Sequence, residues 1–166
     1  GAVTEDNTLW ACTWDQGIYR ISPDRTVVEH VDTLPIVASK AILAEEDGRL
    51  WVGSWGKGLF HYDPETDSYS QYQHNPLKEH SLPANVISSI NRDRSGNLWV
   101  STIGGGLGKY APLANQFMHF HHVPSDPSTM PENSVLEIYQ DSNKRYWAGT
   151  YGGGVIRYDR FDGGFD

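Results

Sequence analysis

The sequence predicts an all-β fold built from β-propeller blades, each blade being a sheet of four antiparallel strands. The first observation is a tryptophan that recurs at Trp10, Trp51, Trp99 and Trp147. Its spacing of 41 to 48 residues is typical of arrays, solenoids and propellers. The second is that each unit divides into four strand-like pieces separated by turns. The third is that no apolar periodicity of 3.6 residues extends beyond two turns, which argues against helical repeats.

Three further sets of residues keep a constant distance from these tryptophans. A glycine follows each tryptophan by seven residues, at Gly17, Gly58, Gly106 and Gly154. An apolar residue followed by proline precedes the last three tryptophans, at Leu34, Leu82 and Met130. An apolar or aromatic residue stands eleven positions after each tryptophan, at Ile21, Tyr62, Tyr110 and Tyr158. Four independent sets at fixed offsets establish the repeat.

The third unit shows the four strands most clearly. We expect them at 85–93, 98–102, 107–112 and 116–122. Asp93 and Gly96 stand at the first and last places of a tight turn between the first two strands, where an Asx hydrogen bond and a glycine are both favoured. The stretch that leads to the next unit contains three prolines, which cannot continue a central strand.

The recurring tryptophans and glycines have different predicted roles. We expect Trp51 and its equivalents to pack between neighbouring blades, and the glycines to allow a tight connection between the second and third strands. The units run approximately over 1–33, 34–81, 82–129 and 130–166, about three and a half blades of one partial propeller. The first unit begins near the end of its innermost strand, and the last stops before its fourth. Because an open propeller exposes strand edges, we expect further blades in the parent chain, or association of copies through these edges.

Composition excludes several classes of function. The net charge of −8 over 166 residues repels phosphate backbones, so no nucleic-acid partner is expected. The single cysteine, Cys12, cannot form an internal disulfide. No apolar run approaches the ~20 residues that span a bilayer, and the chain opens without a leader pattern. If the parent protein is exported or tethered, we therefore expect those parts to lie outside this stretch.

The candidate binding residues lie on loops that a propeller gathers on one face. Three of the four residues that stand four positions after the repeated tryptophan are large aromatics, namely Trp14, Trp55 and Tyr151, while unit three has Ile103. Polar neighbours complete the predicted site, with Asp15, Gln16 and Lys57 on the same loops and Asn85 and Asn133 at the entrance to the inner strands. Aromatic rings can cover the C–H faces of a sugar while the polar side chains bind its hydroxyls. The alternative is that each aromatic packs between blades.

Several motifs that suggest other chemistry are incomplete. The stretch GGGLGK at 104–109 lacks the first glycine and the final Ser/Thr of a phosphate-binding loop. The histidines of HFHH at 119–122 lie on an outer strand without a nearby cysteine, and Asp141 belongs to a turn that lacks the glycine and terminal Glu of a calcium loop. No catalytic set recurs at equivalent positions. We therefore expect no catalytic residues, metal or cofactor in this segment.

Three stretches, at 41–64, 85–112 and 133–159, resemble the two-component regulator propeller repeat. Each has an alternating strand, a turn, an L-W-like strand, a Gly-rich connection and an aromatic end. The first unit departs from this pattern, with Asp15-Gln16 in place of Gly-Gly. The resemblance implies a seven-bladed propeller in the periplasm, in the ectodomain of an inner-membrane sensor that continues into a transmembrane helix and a histidine kinase. Many such sensors respond to oligosaccharides.

Three functions remain open at this point. The first is a ligand-sensing propeller, non-enzymatic in this segment, that binds an oligosaccharide or another small ligand and biases a kinase outside this chain. The second is a scaffold that binds protein through its face. The third is a propeller lyase or hydrolase, since fold alone does not decide function. A lyase needs a converging His and Glu with a metal, whereas His30, His61 and His74 occur at different offsets. Saturable oligosaccharide binding or substrate turnover would distinguish the three.

Overall fold

The computed structural model of the protein describes residues 1–158, and within them the chain forms four antiparallel sheets. The first contains β1 (Ala2–Val3), β2 (Leu9–Cys12), β3 (Ile18–Ile21) and β4 (Val28–His30). The second contains β5 (Ser39–Ala44), β6 (Leu50–Ser54), β7 (Leu59–Asp63) and β8 (Ser68–Tyr72). The third contains β9 (Ile87–Arg92), β10 (Leu98–Thr102), β11 (Gly106–Ala111) and β12 (Gln116–Phe120). The fourth contains β13 (Val135–Gln140), β14 (Tyr146–Thr150) and β15 (Gly154–Tyr158). The prediction for the end of the last unit, 159–166, falls outside the described residues.

Each sheet is a meander in which sequential strands are neighbours, as a propeller blade requires. The predicted all-β, four-stranded blades are confirmed. In the third blade β10 coincides with the predicted strand, and the other three strands begin or end within two residues of their predicted limits. The predicted turn is also present, because the Gly96 N–H donates to the Asp93 carbonyl at 2.9 Å and the Asp93 carboxylate accepts from the Ser95 N–H.

The hydrophobic core lies in the seams between consecutive blades. Trp10, Trp51 and Trp99 are almost fully buried, and each belongs to a separate cluster whose other members come from its own blade and the next one. These three tryptophans therefore pack in the seams between blades. Trp147 is half-buried, because its side chain lies on the far face of the fourth blade, beside the exposed residues Tyr139 and Val155.

Backbone conformation and space both require glycine at two of the four repeated positions, Gly58 and Gly106. These two glycines have φ values of +81° and +80° where the connection meets the third strand. A Cβ at Gly58 would lie 2.2 Å from the carbonyl oxygen of Tyr72, and one at Gly106 would lie 2.1 Å from that of Phe120. A side chain is therefore excluded twice, once by the left-handed conformation and once by the neighbouring outer strand.

The segment between the second and third blades also covers an outer strand edge. The carbonyl of His80 accepts a hydrogen bond from the Phe117 N–H at 2.9 Å, and the carbonyl of Ser81 lies 2.6 Å from Nε2 of His119. Both contacts lie along β12, the outermost strand of the third blade. Linkers of this kind protect an edge that would otherwise be free to pair with another chain.

Candidate functional site

The four connections between second and third strands lie at the same end of the blades as the linkers from one blade to the next, because every sheet is an antiparallel meander. We call this end the loop face. Each of its connections is closed by a hydroxyl donor three residues after the repeated tryptophan, bonded to the carbonyl of the repeated glycine. The four bonds run from Thr13, Ser54, Thr102 and Thr150 at distances between 2.8 and 3.0 Å. This role was not predicted from the sequence, although a hydroxyl residue occupies the position in all four units.

Trp14 and Trp55 lie side by side on the loop face. Their ring centroids are 4.9 Å apart with the planes inclined by 59°, and the two residues are 60% and 43% exposed. The backbone beneath Trp55 is fixed, because its N–H donates to the Ala38 carbonyl at 2.9 Å and the residue forms an isolated bridge with Val86. The two indoles thus form an exposed aromatic surface, the tryptophan pair, across the seam between the first and second blades.

The charged and polar candidates next to the tryptophan pair are also exposed. Asp15, Gln16 and Lys57 stand on the same two connections as the indoles. Both connections are tied to the outer strand of their blade through a backbone carbonyl. The Gln16 carbonyl lies 2.7 Å from Nε2 of His30, and the Lys57 carbonyl accepts from Nε2 of Gln71 at 2.9 Å. The site therefore combines exposed side chains with a main chain that is hydrogen-bonded to the outer strands.

Tyr151, the third aromatic candidate, stands apart from the tryptophan pair. It is 75% exposed on the connection of the fourth blade, and its N–H donates to the Ser134 carbonyl at 2.8 Å. Ile103 occupies the equivalent position on the blade between them. The structure thus brings two of the three aromatic candidates together.

Asn85 and Asn133 brace the loops of the loop face. Oδ1 of Asn85 accepts from the His74 N–H at 2.8 Å, and Oδ1 of Asn133 accepts from the His122 N–H at 2.6 Å. The Asn85 carbonyl accepts from the N–H groups of Gly56 and Gly58, both at 3.0 Å. As binding candidates these asparagines can offer Nδ2, because Oδ1 is already engaged within the fold.

The histidines of the two long linkers hold these linkers in place, a role that was also not predicted from the sequence. Nδ1 of His74 lies 2.9 Å from the Leu82 carbonyl, and Nδ1 of His122 lies 2.6 Å from the Met130 carbonyl. Each imidazole ring therefore links the two ends of its linker. The backbone N–H of the same histidine is bonded to the nearby asparagine. The signal was present in the sequence, because a histidine precedes an asparagine by eleven residues in both linkers.

At the opposite end of the strands, a buried carboxylate joins the third and fourth blades. Asp93 is 7% exposed, and its Oδ2 accepts from Nε1 of Trp99 at 3.0 Å and from the hydroxyl of Tyr146 at 2.6 Å. Burial alone would raise the pKa of Asp93, but the hydrogen bonds from Tyr146, Trp99 and Asn97 outweigh it and hold the pKa at about 2. A cleft of about 250 Å³ lies beside these residues. The carboxylate accepts hydrogen bonds from side chains of the third and fourth blades, Trp99 and Tyr146, and therefore holds these two blades together.

Residues 1–158 contain neither a cluster of metal ligands nor a membrane-spanning helix. No group of three or more His, Cys, Asp or Glu side chains in this range is placed to hold a metal ion. Within the same range, no helix has the length and apolar character needed to cross a bilayer.

The family described as two component regulator propeller matches at residues 81–104 and 129–152. Both stretches are similar to the repeat of that family, which confirms the resemblance predicted from the sequence. No curated protein sequence matches the chain significantly.

Solved propellers share the fold. The extracellular domain of the putative one component system BT4673 from B. thetaiotaomicron has a TM-score of 0.76 and 24% identity, with 94% of this chain and 20% of that chain covered. The extracellular domain of the putative hybrid two component system BT3049 from the same organism has a TM-score of 0.67 and 21% identity, covering 99% and 29%. A catalytically inactive virginiamycin B lyase from Staphylococcus aureus has a TM-score of 0.70 and 15% identity, covering 99% and 53%. The chain thus spans a fifth to a third of the two ectodomains, and identities this low show the fold alone.

Proposed function

We propose that this chain is the ligand-sensing segment of an extracytoplasmic propeller in a two-component signalling sensor. In this proposal it binds an oligosaccharide, stands in the periplasm as part of an inner-membrane protein, and passes the signal to a histidine kinase outside this chain. The segment itself has no catalytic role. The observation that carries the proposal is the tryptophan pair, Trp14 and Trp55, exposed on the loop face of a propeller with two-component regulator repeats.

The chemistry of the tryptophan pair suits a sugar. The two inclined indoles present an exposed apolar surface that can cover the C–H face of a pyranose, while Asp15, Gln16 and Lys57 can bind its hydroxyls. Exposed tryptophans contribute little to the stability of a blade, whereas loops on a rigid scaffold commonly carry binding residues. A neutral or acidic oligosaccharide fits this mixture of charges.

The test is a titration of the chain with a panel of neutral and acidic oligosaccharides, in which binding is measured by calorimetry and by tryptophan fluorescence. We expect saturable binding by at least one sugar, and at least a tenfold weaker affinity in Trp14→Ala and Trp55→Ala. The matched control is Tyr69→Ala, which removes a partly exposed aromatic residue on the outer strand β8, away from the loop face. Affinity unchanged in both tryptophan variants would refute the site. Absence of any saturable sugar binding would favour the protein-binding scaffold.

The proposal includes further blades of the parent chain as partners. Tyr139, Trp147 and Val155 occupy on the fourth blade the positions that Leu43, Trp51 and Leu59 occupy on the second. In the second blade this face packs against the third blade, but in the fourth it is largely exposed. A further blade of the same kind would bury it. If the chain is prepared alone, we expect concentration-dependent association in sedimentation velocity, which Trp147→Lys should abolish.

A further inference from the structure

His30 occupies a position between two hydrogen-bond acceptors next to the tryptophan pair. Its Nδ1 lies 2.6 Å from Oδ1 of Asp32, and its Nε2 lies 2.7 Å from the backbone carbonyl of Gln16. A carboxylate and a carbonyl can only accept, so both contacts are hydrogen bonds only when both ring nitrogens carry a proton. The geometry therefore corresponds to the imidazolium form of His30.

The second blade makes the same tie with a group that does not titrate. Gln71 is the equivalent of His30, since each stands twenty residues after the repeated tryptophan. Its amide Nε2 donates to the Lys57 carbonyl at 2.9 Å, and Lys57 is the equivalent of Gln16. The outer strand thus holds the connection that carries the tryptophan in both blades. In the first blade the donor depends on protonation.

We propose that His30 is a proton-dependent latch that fixes the Trp14 connection against the first blade and thereby makes the tryptophan pair sensitive to pH. The regulatory part of this inference rests on the function proposed above, because it assumes that the tryptophan pair binds a ligand. The latch itself is a property of the free protein.

The groups around His30 favour the latched form. The hydrogen bonds to the Asp32 carboxylate and to the Gln16 carbonyl raise the pKa of His30 above its ordinary value. Tyr19, on the adjacent strand, presents its ring edgewise with the centroids 5.1 Å apart. Arg20 and Glu29 alternate to the opposite face of the same strands, where they form a 3.9 Å ion pair. Asp15 is the remaining charged residue on the connection itself.

Deprotonation opens the latch. A neutral imidazole has one N–H, and the charged carboxylate of Asp32 is a stronger acceptor than a carbonyl. The proton therefore stays on Nδ1, which leaves the Nε2 lone pair facing the carbonyl oxygen of Gln16 at 2.7 Å. The two lone pairs repel each other, so the connection separates from the outer strand. Because the folded pKa of His30 is raised, the latch is complete below the ordinary histidine pKa and is lost as pH rises through the raised one.

The experiment measures solvent exchange of the Gln16 and Gly17 amides by NMR, in the ligand-free chain, between pH 6 and pH 8.5. In the latched form these N–H groups donate to Oγ1 of Thr13 at 2.9 Å and to the Val37 carbonyl at 2.6 Å. The His30→Gln variant copies the second blade and supplies a donor at every pH. We expect protection in the wild type to equal that in His30→Gln at pH 6, and to be about tenfold lower at pH 8.5. A wild-type to variant ratio that stays constant over this range overturns the proposal.

The matched control is His119→Gln, the equivalent substitution in the third blade. Its imidazole contacts the Ser81 carbonyl instead, so this variant should keep the wild-type pH dependence at Gln16 and Gly17. A second measurement needs no variant. The Trp14 indole resonance should titrate with the same midpoint as the His30 ring nitrogens, and a Trp14 resonance that does not move overturns the latch. No ligand enters either measurement, so failure of the sugar titration and failure of the latch are distinguishable.

Discussion

Replacing Asp93 by asparagine tests how the blades are joined. The Asp93 carboxylate accepts five hydrogen bonds, from two backbone N–H groups, Nδ2 of Asn97, Nε1 of Trp99 and the hydroxyl of Tyr146. Its pKa lies at about 2, against 3.8 for an unperturbed aspartate. That difference corresponds to about 2 kcal/mol of stability supplied by the ionised form at neutral pH. Asparagine keeps the shape but turns an NH₂ group towards donors, so we expect Asp93→Asn to lose at least this amount.

The pH dependence makes the test specific. A carboxylate with a lowered folded pKa stabilises above its unfolded pKa and loses that effect as pH falls through the folded value. The difference in unfolding free energy between the wild type and Asp93→Asn, measured with urea, should therefore decrease by roughly 1 kcal/mol when the pH is lowered from 7 to 3. A gap that is the same at both pH values would refute the reasoning. The matched control is Asp141→Asn, where the equivalent carboxylate bonds the half-exposed Trp147 and water can replace lost bonds, so the loss should be smaller.

Three further predictions concern the frame. Trp99→Ala should lower stability by about 3–5 kcal/mol and the melting temperature by roughly 10 °C, whereas Trp55→Ala should cost well under half of that; equal losses would contradict a ligand-facing Trp55. Gly58→Ala should cost at least about 2 kcal/mol more in urea unfolding than Gly48→Ala, since both have positive φ but a Cβ at Gly48 meets nothing within 4 Å. His74→Ala should speed amide exchange across residues 75–82 without moving the melting temperature by more than about 5 °C, and unchanged exchange would show that its ring does not hold the linker.

The strands and turns of the blades were predictable because the interactions that determine them are local in sequence. Tight turns such as the one at Asp93 and Gly96, and the alternation of apolar residues, fixed the strands of the third blade to within two residues. The repeated glycine is likewise a local feature, since the tight connection between the second and third strands gives it a positive φ. The sequence did not reveal how closely the outer strand approaches this glycine. That distance depends on the packing of a complete sheet.

The candidate site was less predictable because its geometry depends on how neighbouring blades pack. Aromatic residues at equivalent loop positions suggested a common face, but the 4.9 Å contact between Trp14 and Trp55 results from the angle between two sheets. The sequence also does not indicate which donor will form a hydrogen bond to the side-chain oxygen of an asparagine. Asn85 was placed among binding residues on its position alone, and the structure shows its Oδ1 bonded to the His74 N–H.

The internal repeat separates residues that hold the scaffold from residues that are free to bind. In every connection of the loop face, a hydroxyl three residues after the tryptophan bonds the carbonyl of the glycine four residues further on. This hydrogen bond closes the connection in all four units, although the three residues between the hydroxyl residue and the glycine differ. They read Trp-Asp-Gln, Trp-Gly-Lys, Ile-Gly-Gly and Tyr-Gly-Gly in the four units. Only the first two units combine a large aromatic residue with charged or polar side chains, and they are the two whose indoles meet.

The first unit departs furthest from the repeat, and its departures cluster at this place. Asp15-Gln16 stands where the third and fourth units have two glycines, and His30 contacts the Gln16 carbonyl, whereas the equivalent His119 of the third blade contacts the Ser81 carbonyl. Neither feature is needed to close the connection, which the Thr13 hydroxyl already does at 3.0 Å. Exposing two indoles to water also gives the fold no packing that smaller residues would lack. Where a repeat keeps its frame and varies only what it exposes, the variation is best explained by what the surface binds, and here it points to the seam between the first two blades.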